Sequence, residues 1–314
     1  MVKSTQPKTI WVGKVPFHST TIKSAVDRVV VAANSGESIS FRLSNAYCVA
    51  LAAKDANYSR LLNSHGVNFP DGTPIVWFMR MRDKKSNAKQ VRGPSLFVES
   101  LRKTQNTDVR HFFLGTTEPT LAKLIEAVDS QYPGVQIARS HSPPFAPLSP
   151  ELTEACTKEI LNTSATLVWV ALGTPKQDFL ARDLSTQTGL PCVAVGAAFD
   201  FVAGTVKEAP SWVQNTVLEW LYRFATEPRR LWRRYLVGNF QFLWSAVTEI
   251  SHKPGSASRE HTSAAMYVAN RQSNQSTTRV NPQQVQVRLV ANYFKVQSFD
   301  LFQPDKGREM GLIK

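Results

Sequence analysis

The segment T-L-V-W-V-A-L-G-T-P-K-Q-D, residues 166–178, decides the fold class of this 314-residue chain. Its first seven residues form an apolar run of strand length, and Gly173-Thr174-Pro175 then turns the chain into a helical pattern that continues through Leu184. A second apolar strand, 190–195, follows and ends at Gly196. A strand, a helix and a second strand in this order are typical of a parallel β-α-β unit.

The same alternation extends towards the N-terminus. Further strands are predicted at residues 38–43, 67–69, 111–114 and 135–138. Helical patterns separate them, including one continuous helix over 46–62, and residues 10–17 predict a short strand or the start of a hairpin. The sequence therefore predicts an α/β fold with a mostly parallel sheet and helices on both faces.

Polar or small residues follow the predicted strands, at positions where parallel sheets bind their ligands. Ligands of such sheets bind beyond the carboxyl ends of the strands. The residues at or just after those ends are Asn45, Asp71, Gly115, Gly173 and Gly196. We expect all of them on one rim of the sheet.

The composition narrows the class of partner and the compartment. With 37 Lys and Arg against 24 Asp and Glu, the net charge of +13 indicates an anionic partner: nucleic acid, an anionic bilayer or a phosphorylated ligand. The three cysteines, Cys48, Cys156 and Cys192, show neither metal-binding spacing nor a disulfide framework, which favours a reducing compartment. No apolar run approaches the roughly 18 to 20 residues of a membrane-spanning helix, and the N-terminus lacks a signal-peptide pattern. We therefore expect a cytoplasmic protein with, at most, peripheral membrane contact.

Two of the rim residues could act in binding or catalysis, or could only stabilise the local backbone. Asn45 can donate and accept hydrogen bonds, as a sugar hydroxyl requires, but asparagine is also a common helix N-cap. Asp71, in N-F-P-D-G at 68–72, could be a general base or only part of a turn.

The turn at 173–178 and the segment at 195–204 are further candidates. A strand, a glycine turn and a helix N-terminus form a natural anion site, to which Lys176 and Gln177 add side-chain donors, although a plain turn also fits. The glycines of a P-loop or a dinucleotide fingerprint are missing. Asp200 could contact a ligand or cap a helix.

The segment L-E-W-L-Y-R-F-A-T-E-P-R-R-L-W-R-R-Y, residues 218–235, combines arginines with aromatic residues. Arg230, Arg233 and Arg234 are three and four residues apart, so they share a helical face beside an apolar stripe. Arginine suits phosphate, and the stripe could contact a membrane or the protein core; a solvated basic face is the simpler alternative. We predict an α/β core at 1–210, an amphipathic arginine-rich helical appendage at 211–250 and a polar, disordered linker and tail at 251–314.

Seven motifs in fixed order resemble the WecG/TagA/CpsF glycosyltransferase family across roughly residues 10–250. They are S-N-A at 44–46, N-F-P-D-G-T-P at 68–74, V-R-G-P-S-L at 91–96, F-F-L-G at 112–115, A-L-G-T-P-K-Q-D at 171–178, V-G-A-A-F-D-F-V-A-G at 195–204, and L-E-W-L-Y-R…E-P-R-R-L-W-R-R-Y at 218–235. The resemblance implies a Rossmann-like α/β fold with a C-terminal helical appendage. It also implies an inverting, metal-independent transferase that needs no cofactor.

The resemblance further implies a role for individual residues. Asp71 corresponds to the proposed catalytic base, Asn45 and Arg92 to active-site positions, and Gln177 to a contact with the nucleotide sugar. The appendage arginines thought to neutralise the diphosphate correspond to Arg223, Arg230 and Arg233. This chain departs from the family at Leu43, where members often carry Thr, and at Glu208, where they often carry Arg.

The implied partners are a UDP-sugar donor, a polyprenyl-diphosphate-linked glycan acceptor and the anionic inner face of the plasma membrane. Inversion needs a single displacement, and without a metal the charge on the leaving diphosphate must be stabilised by arginines and helix N-termini. No D-x-D-type metal pair is evident in the sequence. A nucleotide-binding oxidoreductase lacks its glycine fingerprint here, and a non-enzymatic nucleic-acid binder explains the charge but not the aspartate at the rim. The transferred sugar and the oligomeric state, a homo-oligomer included, stay open.

Overall fold

The fold is described from a computed structural model, for residues 8–206. The predicted appendage at 211–250 and the tail at 251–314 lie outside the described residues. The predicted boundary of the core at residue 210 therefore stays a prediction.

Strands and helices alternate through the described part of the chain. The strands are β1 (Thr9–Val12), β2 (Val15–His18), β3 (Ser40–Ser44), β4 (Val67–Pro70), β5 (Arg110–Gly115), β6 (Gln136–His141), β7 (Leu167–Ala171) and β8 (Cys192–Ala194). The helices are α1 (Ile22–Ser35), α2 (Ala46–Lys54), α3 (Ala56–Asn63), α4 (Thr73–Arg82), α5 (Gly93–Thr104), α6 (Glu118–Gln131), α7 (Pro150–Leu161), α8 (Lys176–Thr188) and α9 (Ala198–Val202).

Six strands form one sheet in the order β4-β3-β8-β7-β5-β6, and each neighbouring pair described is parallel. The remaining two strands, β1 and β2, pair with each other as an antiparallel hairpin. The predicted α/β class with a mostly parallel sheet is therefore confirmed, as is the hairpin at 10–17.

Side chains of the central strands alternate between two apolar layers. Leu167 and Trp169 of β7 face a core that includes residues of α1, α5, α6 and α9. Val168 and Val170, the intervening residues, face α7 and α8 instead. Because successive side chains of a strand point to opposite faces, this continuous apolar run needs a helical layer on each face of the sheet.

A third apolar cluster joins the hairpin to helices α2, α3 and α4. The side chain of Asn68 on β4 connects this cluster to the sheet, since its Nδ2 donates to the carbonyls of Pro16 (2.8 Å) and Leu62 (2.7 Å). The asparagine of the N-F-P-D-G motif therefore fixes the hairpin beside the strand that leads to Asp71.

The single helix predicted over 46–62 is wrong, because the chain forms two helices that meet at Asp55. Asp55 has extended backbone angles (φ −106°, ψ 107°) and its N–H still bonds to Leu51, so it ends α2. Its carboxylate accepts hydrogen bonds from the N–H groups of Asn57 and Tyr58, so it also caps α3. The apolar spacing on both sides of Asp55 suits a helix, and only this short acidic side chain interrupts it.

A buried histidine lies in the layer of α5. Its Nδ1 atom accepts a hydrogen bond from Nε1 of Trp169 at 2.9 Å, so the proton of the neutral ring is on Nε2, which faces Oγ1 of Thr104 at 2.9 Å. This residue is His111, on β5, and burial lowers its pKa from 6.5 to about 3. Both ring nitrogens are used within the core, so the ring is neutral in the folded protein at neutral pH.

We expect His111 to make folding sensitive to mild acid. Below the ordinary histidine pKa of about 6.5, the unfolded chain binds a proton that the folded chain excludes. The contribution of His111 to the free energy of unfolding is therefore complete above that pH, and it falls by about 1.4 kcal/mol per pH unit towards pH 3. Replacing His111 with Phe removes this contribution, although it costs about 1–3 kcal/mol at pH 7 because the Trp169 N–H loses its acceptor. Urea unfolding of the wild type and of His111→Phe at pH 5, 6 and 7.5 measures how the unfolding free energy of each protein depends on pH. An equal dependence in the two proteins would contradict a neutral, buried His111.

Candidate active site

The carboxyl ends of the parallel strands meet at one edge of the sheet. In spatial order, the strand ends carry Asp71 after β4, Asn45 after β3, Gly196 after β8, Gly173 after β7 and Gly115 at the end of β5. The expectation that these residues share one rim is confirmed. Neighbouring strands are about 4.8 Å apart, so functional groups on β4, β3 and β8 fall within the span of one sugar and its phosphate.

The strand topology predicts a crevice at the rim, between β3 and β8. The helix after β3, α2, packs in the cluster of the hairpin, on the side of the sheet where Phe179 of α8 also packs. The helix after β8, α9, packs on the opposite face through Ala198 and Phe199. Two adjacent strands whose following helices leave to opposite faces create an opening, and such topological switch points are where α/β sheets bind ligands.

Asp71 and Asn45 lie side by side at one wall of this crevice. The N–H of Asp71 donates to the carbonyl of Ser44 at 3.0 Å, which continues the β3–β4 ladder by one residue. The next residue, Gly72, has φ of +102°, and a Cβ placed on it would lie 4.0 Å from the Cβ of Asn45. The P-D-G turn therefore brings the backbone of Asp71, the predicted base, to the position next to Asn45.

Asn45 caps α2 through the oxygen of its side-chain amide. Its Oδ1 accepts hydrogen bonds from the N–H groups of Tyr47 (3.1 Å) and Cys48 (3.3 Å). Both lone pairs of the oxygen are thereby engaged, and the opposite end of the amide, Nδ2, can only donate. The sequence left a cap and a ligand contact as alternatives; the cap is observed, and it restricts any ligand contact to the Nδ2 donor.

Arg92 lies under the mouth of the crevice and is 3% exposed. The residue before it, Val91, donates its N–H to the carbonyl of Pro70 at 2.8 Å. The residue after it, Gly93, lies so close to β8 that an added Cβ would be 2.5 Å from the carbonyl oxygen of Val195 and 3.2 Å from Cδ1 of Leu43. The segment thus crosses the ends of β4, β3 and β8, and it places the buried Arg92 where these three strands end.

Gln177 connects the loops that follow β7 and β8. Its side-chain oxygen accepts hydrogen bonds from the backbone N–H of Gly173 (3.1 Å) and of Gly196 (3.0 Å). Its Nε2 lies 3.4 Å from Oγ1 of Thr174. Part of the N–H cradle predicted for a phosphate at this turn is therefore occupied by the chain itself, and the buried glutamine holds the two glycine loops in one arrangement.

Lys176 extends away from Gln177, although the two residues are adjacent in sequence. Its Nζ donates to the carbonyl of Ala146 in the proline-rich loop that precedes α7. Burial lowers the pKa of its ammonium, and the neighbouring thiol of Cys156 acts in the opposite direction. Lys176 therefore holds the 142–149 loop against the N-terminus of α8, at the β7 end of the rim.

Sequence comparison identifies the family to which this rim belongs. Residues 10–255 match the Glycosyl transferase WecG/TagA/CpsF family. The chain is a member of this glycosyltransferase family. It is therefore an enzyme of the transferase class, and the family expected from the seven motifs is confirmed.

Two curated relatives come from Bacillus species. An N-acetylglucosaminyldiphosphoundecaprenol N-acetyl-beta-D-mannosaminyltransferase of Bacillus spizizenii is 33% identical over 188 residues, which cover 59% of this chain and 70% of the relative. The protein of the same name from Bacillus subtilis is 30% identical over 190 residues, covering 60% of this chain and 72% of the relative.

A buried polar group beneath the rim of the glycosyltransferase was not predicted from the sequence. Oδ2 of Asp178 accepts a hydrogen bond from the hydroxyl of Tyr58 at 2.7 Å. Arg42 on β3 is buried in the same region, where burial lowers its pKa to about 10 and the charge of Asp178 opposes that shift. Burial also raises the pKa of Tyr58. The final residue of the A-L-G-T-P-K-Q-D motif thus points inward, and its partners are too distant in sequence for any local pattern to reveal them.

The side chain of Asp200 does not act only as a helix cap, and it is not fully exposed. It lies in the first turn of α9, and its carboxylate accepts a hydrogen bond from Oγ1 of Thr116 at 3.2 Å. Ser142 in turn donates to the carbonyl of Thr116 at 2.6 Å. The loops after β5, β6 and β8 are therefore linked through Thr116 at the far end of the rim. Arg223, Arg230 and Arg233, predicted to bind the diphosphate, lie outside the described residues.

We expect two substitutions of Gln177 that are similar in size, to Glu and to Leu, to differ in their effect on the free energy of unfolding. A carboxylate can accept from both glycine N–H groups, so Gln177→Glu should unfold at nearly the wild-type urea concentration. Gln177→Leu leaves two N–H groups without their acceptor and should lose about 1–3 kcal/mol of unfolding free energy for each that stays buried. Equal stability of the two variants would show that the bridge contributes nothing to folding.

Proposed function

We propose that this glycosyltransferase moves a hexose or N-acetylhexosamine from a UDP-sugar to a hydroxyl group of a polyprenyl-diphosphate-linked acceptor, with inversion at the anomeric carbon. The observation that supports the proposal is the position of Asp71, which directly follows β4 beside Asn45, at the edge of the sheet where the segment of Arg92 also lies. A base, an amide donor and a guanidinium at one switch point are the groups that a single displacement at a sugar phosphate requires.

In the proposed step, Asp71 accepts the proton of the acceptor hydroxyl while the oxygen attacks the anomeric carbon. The new carbon–oxygen bond forms on the face opposite the leaving group, and the bond between the anomeric carbon and the phosphate oxygen breaks. The electron pair of that bond leaves with UDP. No covalent enzyme intermediate is required, so one carboxylate is sufficient.

The charge that develops on the leaving diphosphate needs fixed positive groups. Arg92 supplies a guanidinium, whose planar fork of donors suits phosphate, and the N-terminus of α8 adds oriented peptide dipoles. Nδ2 of Asn45 and Nε2 of Gln177 are amide donors suited to sugar or phosphate oxygens. Lys176, whose Nζ bonds to Ala146, adds a cation at the β7 end of the rim. We include Arg223, Arg230 and Arg233 of the predicted appendage as further contacts to the diphosphate, and metal independence remains part of the prediction.

The relatives narrow the chemical class of the acceptor. Their name specifies an N-acetylmannosaminyl transfer to N-acetylglucosaminyldiphosphoundecaprenol. We infer an acceptor of the same class here, a sugar joined by a diphosphate to a long polyprenyl chain, and a role in the synthesis of a bacterial surface polysaccharide or wall polymer. Identities near 30% do not fix the sugar, since one hydroxyl or acetamido contact can change the specificity.

Such an acceptor is held in a membrane, and the enzyme must reach it. In residues 8–206 no helix is long and apolar enough to cross a bilayer. We propose peripheral attachment to the inner face of the plasma membrane, to which the amphipathic stripe predicted at 211–250 contributes.

We expect Asp71→Asn to lower acceptor-dependent UDP release by about 100- to 10,000-fold, because the amide cannot take up the hydroxyl proton. The assay contains detergent, EDTA, a panel of UDP-sugars and a polyprenyl-diphosphate-linked acceptor. Asp129→Asn, at an exposed position of α6, is the matched control and should keep wild-type activity.

Each result of this assay has a defined meaning. Acceptor-dependent release that persists in EDTA and disappears only in Asp71→Asn supports a metal-independent transferase with Asp71 as base, and the active sugar names the donor. Full activity of Asp71→Asn would return this residue to a role in the turn. Release that EDTA abolishes would contradict metal independence.

A second prediction concerns the donor. Gln177→Glu keeps the acceptor of the two glycine N–H groups but replaces the Nε2 donor with a negative oxygen, which should weaken UDP binding by about tenfold or more. Isothermal titration with UDP measures the change. Wild-type affinity in this folded variant would exclude a contact between Nε2 and the nucleotide.

A further inference from the structure

Helix α4 presents an apolar stripe to solvent. Its inward side, Ile75, Phe78 and Met79, is buried in the cluster of the hairpin. On its outward side, Trp77 is 58% exposed and Met81 47% exposed. These two residues are four apart, so they lie one above the other on the same face of the helix. Side chains of this size and polarity are rarely left in water unless another surface covers them.

Positive charge surrounds this stripe. From residue 74 to 89 the sequence contains five cations, Arg80, Arg82, Lys84, Lys85 and Lys89, and a single acid, Asp83. The carboxylate of Asp83 is already paired with Nζ of Lys8 at 2.7 Å. The surface next to Trp77 and Met81 therefore has a net positive charge that favours an anionic counterpart.

The basic loop after α4 is held beside the helix. The guanidinium of Arg80 donates through Nε (3.0 Å) and Nη2 (2.8 Å) to the carbonyl of Ala88. This double contact ties the loop that carries Lys84, Lys85 and Lys89, all exposed, to Arg80 near the end of α4. The arrangement of an indole and a thioether next to lysines is the pattern of a surface that lies in a membrane interface.

We propose that this surface, formed by Trp77, Met81 and the cations at 80–89, docks on an anionic lipid bilayer and orients the active site towards the acceptor. The inference rests on the proposed function, because it explains how Asp71 reaches a hydroxyl attached to a lipid. Helix α4 starts two residues after Asp71, with Gly72 as its N-cap. At 1.5 Å per residue, Trp77 lies about 6 Å and Met81 about 12 Å along the helix from its first residue, so docking brings the rim to the depth of the headgroups.

This contact differs from the attachment predicted at 211–250. One attachment leaves an enzyme free to rotate about it, whereas a second contact beside the active site fixes which side faces the bilayer. The charges also favour lipid over a second copy of this chain, because two copies would bring two surfaces of the same positive sign together.

The first test measures binding of the full-length protein to vesicles of phosphatidylglycerol and phosphatidylcholine, by sedimentation. Trp77→Glu places a negative charge in the centre of the surface and should weaken binding to anionic vesicles by at least about fivefold. The matched control is Leu161→Glu on α7, a position 57% exposed on another part of the surface, and it should bind as wild type. Equal binding of both variants and the wild type would overturn the proposal.

The second test uses a fluorescent label placed on the proposed surface. Met81→Cys carries an environment-sensitive nitrobenzoxadiazole label, and the native Cys48, Cys156 and Cys192 are buried. The control label is on Val31→Cys of α1, where the native side chain is 58% exposed. We expect a blue shift and increased emission on adding anionic vesicles for position 81 alone. A change that depends on protein concentration without vesicles would identify a second copy as the occupant and overturn the lipid assignment.

The transfer assay separates this proposal from the proposed function. With an acceptor that carries a short, water-soluble prenyl chain and no vesicles, Trp77→Glu should transfer sugar at the wild-type rate. With the long-chain acceptor in anionic vesicles, its rate should fall at least about fivefold, in parallel with binding. A wild type inactive on the short-chain acceptor would refute the proposed acceptor chemistry, whereas an active Trp77→Glu in vesicles would refute only the docking surface.

Discussion

The common direction of six strands is the constraint on which the rest of this structure depends. Because every carboxyl end lies at the same edge, residues separated by more than a hundred positions become neighbours without any special interaction between them. Parallel strands have to be covered on both faces, which explains the continuous apolar runs and the two helical layers. The crevice between β3 and β8 then follows from topology, since the helices after these strands pack on opposite faces.

Backbone hydrogen bonds at the rim determine which groups stay available for chemistry. The oxygen of Gln177 takes two glycine N–H groups, and the oxygen of Asn45 takes two N–H groups of α2. Both amides thus use their acceptor for the protein and keep their donor nitrogen on the opposite end. A rim that holds its own loops by acceptors and offers donors suits a negatively charged ligand such as a sugar diphosphate.

The P-D-G turn couples the chemistry to the outer surface of the protein. Asp71, the N-cap Gly72 and the exposed face of α4 follow one another within about three helical turns. If α4 docks on a bilayer as proposed, this short connection sets the distance between the lipid surface and Asp71. Asn68 fixes the other side of the same turn by holding β4 against the hairpin.

Much of this protein is determined by local sequence. Strand and helix periodicity predicts the parallel sheet, and the positions of Asn45 and Asp71 after their strands predict the shared rim, because these patterns depend on residues close in the chain. Local sequence did not predict the break at Asp55, since one acidic cap outweighs an otherwise helical pattern. Tertiary structure alone decided that Gln177 bonds to Gly196, Asp178 to Tyr58 and His111 to Trp169. These hydrogen bonds join different elements of the fold, and a buried polar side chain takes whichever partner the packing brings within reach.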